Sequence, residues 1–173
     1  MQYQLSQYLY LALATFIFVG ALTPIMRKVA LRIGAVDAPN LSRKDQSEPV
    51  PYLGGVAIVL GVLVATYSTV LIKDENLGLA STVLIPGLIM AAMGLVDDLK
   101  GLPPWPRLIT QTIVGVSVAA LLISTDTIGT PSQIFFVDAI ITVLWIVGIC
   151  NSINFFDNLD GGAAGTVVVI SIF

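Results

Sequence analysis

Long stretches without a single charge dictate what this chain can fold into. Residues 8–26, 53–72, 77–96 and 108–125 contain no Asp, Glu, Lys or Arg. Each approaches or reaches the ~20 apolar residues that carry a helix across a ~30 Å hydrocarbon core. A fifth run, residues 139–153, follows Asp138, which reads as an N-cap near the outer end of that span. A sixth begins near Ala163 and is still apolar at Phe173. Lone segments in lipid must satisfy their own backbone hydrogen bonds, so the runs are read as helices. Barrel strands would alternate in polarity over about ten residues, and these runs do not. The composition agrees: 56% hydrophobic and 11% charged, with a mean hydropathy of +0.92, where soluble domains carry roughly a quarter charged residues. The expected fold is an all-α, polytopic integral membrane protein. It has five complete transmembrane helices and a partial sixth, with residues 1–173 forming a single transmembrane domain.

Residues 1–26 carry no Lys or Arg and no small-residue cleavage site, so the first run is not a cleavable signal peptide. Cys150 stands alone, which excludes a disulfide framework, and the absence of His removes imidazole as a ligand or base. The formal charge of −3 is small and provides no basic surface for nucleic acid, so no such partner is expected. Its distribution matters more. Arg27, Lys28, Arg32, Arg43 and Lys44 lie between the first and second runs, and Lys100 and Arg107 between the third and fourth. Lys73 alone falls between the second and third, and none falls between the fourth and fifth. The positive-inside rule then makes loops one, three and five cytoplasmic and the N-terminus external. That assignment places three polar segments on one face and predicts a shared cytoplasmic site.

Loop one runs from Asp37-Ala38-Pro39-Asn40 through Arg43-Lys44 to Pro51-Tyr52-Leu53-Gly54-Gly55. The two basic residues suit a phosphate or anionic headgroups, and the glycine pair permits close approach of backbone or ligand at a helix start. A basic loop that only sets topology is the plainer alternative. Loop three carries Asp97-Asp98 directly after an uncharged run of 20 residues. Helical neighbours point about 100° apart, so both carboxylates cannot face one ion unless the helix is ending. One could hold Mg²⁺, which favours one or two carboxylates plus substrate phosphates. The alternative is a solvated helix end with Trp105 as interfacial anchor, yet acids sit unfavourably at a helix C-terminus. In the third segment, Asn151, Asn154, Asp157 and Asp160 recur every three residues, giving a polar stripe on one helical side that lipid would not tolerate. Asp160-Gly161-Gly162 then turns into the next run, whose amides could cradle an anion. A helix–turn–helix corner with Asp160 as N-cap is the competing account.

In this order, the three segments resemble the polyprenyl-phosphate N-acetylhexosamine-1-phosphate transferases of glycosyltransferase family 4, over residues 37–165. The series is Asp-x-Pro-Asn, Arg-Lys, Pro-x-Pro-x-x-Gly-Gly, Gly-x-x-Asp-Asp, Leu-Pro-Pro with a later Gln, and Asn-x-x-Asn-x-x-Asp-x-x-Asp-Gly. The phospho-MurNAc-pentapeptide transferase of peptidoglycan synthesis is a relative. The resemblance implies transfer of a sugar-1-phosphate from a UDP-N-acetylhexosamine to polyprenyl (undecaprenyl) phosphate in the bacterial inner membrane. UMP is released and the first lipid-linked intermediate of an envelope polysaccharide is formed. By the same resemblance Asp97, Asp98, Asp157 and Asp160 are catalytic. Asp97, Asp98 and Asn154 bind Mg²⁺ or Mn²⁺. Arg43, Lys44, Gly54, Gly55, Asn151, Asp157 and Asp160 bind substrate. The chain could also pair with a second copy of itself.

Departures bear on subgroup. Asp45-Gln46 stand where the family has a His after Arg-Lys, and Asn158 and Gly162 replace a glycine and an aliphatic residue. The family's later Gly-Asp motif and basic or His-rich loop do not occur before Phe173. The chain is therefore expected to be the N-terminal part of a larger transferase, inactive alone. A transporter or channel is the alternative from a different class. It predicts acids near the midplane and an inverted repeat, whereas here the acids cluster at one interface.

Overall fold

The computed structural model describes residues 4–37, 50–73, 77–125, 131–157 and 161–172. These residues form six helices: α1 (Leu5–Ile33), α2 (Gly54–Lys73), α3 (Leu77–Lys100), α4 (Pro104–Ser124), α5 (Phe135–Phe156) and α6 (Gly162–Ile172). Five of them, α1 to α5, are long and apolar enough to cross a membrane. Their side chains face outward to a degree water would not permit, with Phe16 76% and Trp145 70% exposed. Exposed apolar surface on this scale marks a membrane or protein-contact face, and on helices of spanning length it fits lipid. The chain is an all-α, multi-pass membrane protein.

The helices depart from the uncharged runs at their ends, for local reasons. α1 continues through Arg27, Lys28 and Arg32. Its 29 residues span roughly 43 Å at 1.5 Å each, so the basic end reaches beyond a ~30 Å hydrocarbon core. It stops at Gly34, whose φ of 72° only glycine adopts freely, with the Ala35 N–H returning to the Ala30 carbonyl at 2.9 Å. α3 carries on through Asp97-Asp98 to Lys100. α5 starts four residues before the uncharged run, which corrects the reading of Asp138 as its N-cap. Ile134 occupies the cap position. Asp138 lies in the first turn, where the helix dipole favours a carboxylate, and accepts the Ser132 N–H at 3.2 Å.

The chain forms two compact units, residues 1–102 and 103–173. In the first, α1 packs on α2 and α2 on α3. An element not foreseen from sequence closes one end of this unit. Val36–Asp37 (β1) pairs antiparallel with Val50–Pro51 (β2), in the register Val36↔Pro51 and Asp37↔Val50. Pro51 has no N–H to give, and the Tyr52 N–H extends the pairing to the Ala35 carbonyl at 3.1 Å. Beneath the ladder, Ala30, Ala35 and Leu53 are buried, with Met26, Val56 and Leu95 packed around them. This cluster ties the end of α1, the ladder and the start of α2 to the last turns of α3. In the second unit, α4 packs antiparallel on α5, and α5 contacts α6.

Candidate active site

Within the first unit, the antiparallel course of α2 and α3 brings the start of one beside the end of the other. Between them lies a groove of about 380 Å³, walled by residues such as Leu60 and Leu88. Tyr52, Gly55 and Asp98 line it at the ladder end. The groove is apolar along most of its length and carries a carboxylate at one end. Among the described residues, a Cβ at Gly54 or Gly55 would meet nothing within 4 Å, so helix packing there does not call for either glycine. The open space beside Gly55 belongs to the groove.

Asp97 and Asp98 take different roles, as the ~100° between helical neighbours requires. Asp98 lines the groove. Asp97 Oδ1 accepts the Leu102 N–H at 3.0 Å, and Gly101, with φ 60°, makes the turn that brings that donor back. The α3 terminus is thus stapled by Asp97.

The second unit holds Asn151, Asn154 and Asp157 at the end of α5. Asp157 is the C-cap, its N–H reaching the Ile153 carbonyl at 3.0 Å. Asn151 Nδ2 donates to Gln111 Oε1 at 2.7 Å and to the Val147 carbonyl at 2.8 Å. Gln111, on α4, is buried at 6% exposure. It enters the sequence pattern only as the glutamine after Leu-Pro-Pro. The signal for a larger role was an amide inside an uncharged run, where lipid cannot satisfy it. Asn154 and Asp157 are exposed.

The predicted site residues are thus distributed unevenly. Gly55 and Asp98 share one groove, and Asp97 is turned to the helix end. Asn151, Asn154 and Asp157 belong to the other unit. Arg43, Lys44 and Asp160 lie outside the described residues. Among the described residues no three acidic or thiol side chains converge into a metal cluster. The donors available are carboxylate and amide oxygens, hard ligands of the type Mg²⁺ and Mn²⁺ accept.

Residues 79–173 match the profile of the family described as "Glycosyl transferase family 4". Over 86% of its length the chain is 31% identical to a Bacillus subtilis protein named "Probable undecaprenyl-phosphate N-acetylglucosaminyl 1-phosphate transferase", covering 42% of it. Over 86% it is 33% identical to the "Decaprenyl-phosphate N-acetylglucosaminephosphotransferase" of Mycolicibacterium smegmatis, covering 40%. A "Phospho-N-acetylmuramoyl-pentapeptide-transferase" of Lactobacillus gasseri is 27% identical over 98% of the chain and 57% of its own length. The chain therefore spans about two fifths of the length of the first two relatives. No solved structure matches it.

Proposed function

Because this chain belongs to glycosyl transferase family 4, we propose that the protein moves an N-acetylhexosamine-1-phosphate from a UDP-sugar onto a polyprenyl phosphate. The observation that carries this reading is the α2–α3 groove, apolar along its length and ended by Asp98, Gly55 and Tyr52. An isoprenoid tail suits such walls, and a phosphate headgroup suits an end where charge and open backbone meet. A phosphate oxygen of the lipid attacks the sugar-bearing phosphorus of the UDP-sugar. The phosphoanhydride bond breaks and UMP leaves with its electron pair.

Charge neutralisation and alignment dominate a transfer between two anions. A bound Mg²⁺ or Mn²⁺ supplies Lewis-acid polarisation of the diphosphate. In the first unit Asp98 on α3 is the described residue whose oxygens suit such an ion; in the second unit Asn154 on α5 and its C-cap Asp157 are. Asp97 keeps the α3 end in place so that Asp98 stays at the groove. Arg43 and Lys44 supply positive charge to the substrate phosphates. In this reading the reaction sits on the cytoplasmic face of a bacterial inner membrane; the Lys and Arg bias between the apolar runs supports that orientation, with the N-terminus outside.

The test is exchange of labelled UMP into a UDP-N-acetylhexosamine by membranes holding the whole protein, with polyprenyl phosphate and Mg²⁺ supplied. Asp98→Asn keeps the groove's shape and removes its charge. It should slow exchange at least about tenfold, which is ~1.4 kcal/mol in the barrier. Exchange at the wild-type rate in a correctly inserted Asp98→Asn protein would remove Asp98 from the reaction. No exchange from wild-type membranes, whichever N-acetylhexosamine is offered, would remove the reaction itself.

A further inference from the structure

We infer that Gln111 is a positioning residue that locks the Asn151 amide with its carbonyl oxygen turned to a ligand, so that Asn151 binds only as an acceptor. The hydrogen bonds fix the amide without ambiguity. The Val147 main-chain carbonyl can only accept, so Asn151 must present Nδ2 to it at 2.8 Å. The same nitrogen reaches Gln111 at 2.7 Å, so Gln111 must turn Oε1, and not its own NH₂, towards Asn151. Both hydrogens of Nδ2 are then committed. Asn151 Oδ1 remains as an outward acceptor on an exposed residue, and no donor among the described residues reaches it.

A side chain held this way can meet a hard cation, or an N–H or O–H of a bound molecule. It cannot donate to a phosphate oxygen, which is what an untethered asparagine at a phosphate site would do. Gln111 is buried in the α4–α5 packing and is itself shielded from the ligand. Its reach to Asn151 crosses 40 positions of sequence, so the contact also sets the rotation of α5 against α4. Asn154, one turn further along α5, is placed by the same contact. In its activity readout the inference rests on the transferase reading. The geometry it asserts does not.

Two measurements separate those dependencies. In detergent-solubilised, ¹⁵N-asparagine-labelled protein, both Asn151 side-chain amide hydrogens should exchange slowly with water, and Gln111→Met should speed exchange of one at least about tenfold, as loss of one acceptor predicts. Equal exchange in the two proteins would overturn the inference, whatever the enzyme does. Activity then reads the consequence. Gln111→Met and Asn151→Leu should each lower kcat/KM for UMP exchange roughly tenfold or more, and the double variant should be no worse than Asn151→Leu, because both changes remove one function. Replacing both partners with apolar groups removes the unpaired hydrogen, so the double variant should regain wild-type Tm while remaining inactive. A strut with no further role predicts that activity returns with Tm, and that result would overturn the proposal. Titration with Mn²⁺ alone separates the two ligand sources. If Asn151 oxygen meets the cation, Gln111→Met raises the Mn²⁺ needed for half-saturation. If it meets an N–H or O–H of the UDP-sugar, KM for that substrate rises and the Mn²⁺ dependence stays put. Movement of neither would show that Asn151 has no ligand.

Discussion

A carboxylate and its amide analogue differ in charge but share an acceptor oxygen, and that difference separates the work of Asp97 from that of Asp98. Asp97→Asn still offers an oxygen to the Leu102 N–H, so the end of α3 should hold. Asp97→Ala leaves that donor without its partner, which costs about 1 kcal/mol. The expected outcome is a lowered Tm in detergent for Asp97→Ala and little change for Asp97→Asn. Equal Tm values would show that the 3.0 Å contact contributes nothing to the turn. The sequence made the pair conspicuous and the ~100° rule required it to diverge. Which carboxylate would face the groove depended on the face α3 turns to α2, and no local pattern records that. Gln111 was harder to see, since its partner lies 40 residues away and the two amides look unrelated until α4 and α5 are laid antiparallel.

Two glycines give opposite forecasts for helix packing. A Cβ on Gly61 of α2 would run into the Val19 side chain of α1, and a β-branched side chain has little rotameric freedom with which to yield. Gly61→Ala should therefore destabilise the α1–α2 contact by ~1–3 kcal/mol, as overpacking does. Gly115 on α4 has its nearest neighbours, Val143 Cγ1 and Cα, at 3.6 and 3.7 Å from a built Cβ, which is ordinary contact. Gly115→Ala should be neutral or raise stability by up to ~1 kcal/mol through reduced backbone freedom. Thermal unfolding of both variants in one detergent checks the pair, and the reverse order of Tm would contradict the packing described. Hydropathy located five of these helices because lipid imposes length and polarity directly. It placed their ends poorly, since Arg27, Lys28 and Asp97-Asp98 continue a helix as readily as they end one, and Asp138 begins one from inside its first turn. The two-residue ladder was illegible because its stability comes from the Ala30–Ala35–Leu53 cluster beneath it, not from strand propensity.

For the whole molecule, the charge distribution makes an orientation forecast. With Cys150 replaced by Ala, a cysteine at Lys100 should react with a membrane-impermeant thiol reagent only after the cells are opened, and one at Lys73 should react in intact cells. Labelling of Lys100→Cys from outside would invert the topology and place the proposed site on the wrong face for a cytoplasmic UDP-sugar. The scaffold also has a modular property that follows from the β1–β2 ladder. Asp37 and Val50 are paired, so the ends of the intervening segment are held together by the β1–β2 ladder itself. Closing a longer segment across such a clasp costs only about 0.6 kcal/mol per doubling of length. Residues 38–49 can thus be lengthened, shortened or recoded, Arg43 and Lys44 included, while α1 and α2 keep their registration. In evolutionary terms the clasp makes this segment a cassette, free to drift in length and sequence without retuning the membrane helices that carry it.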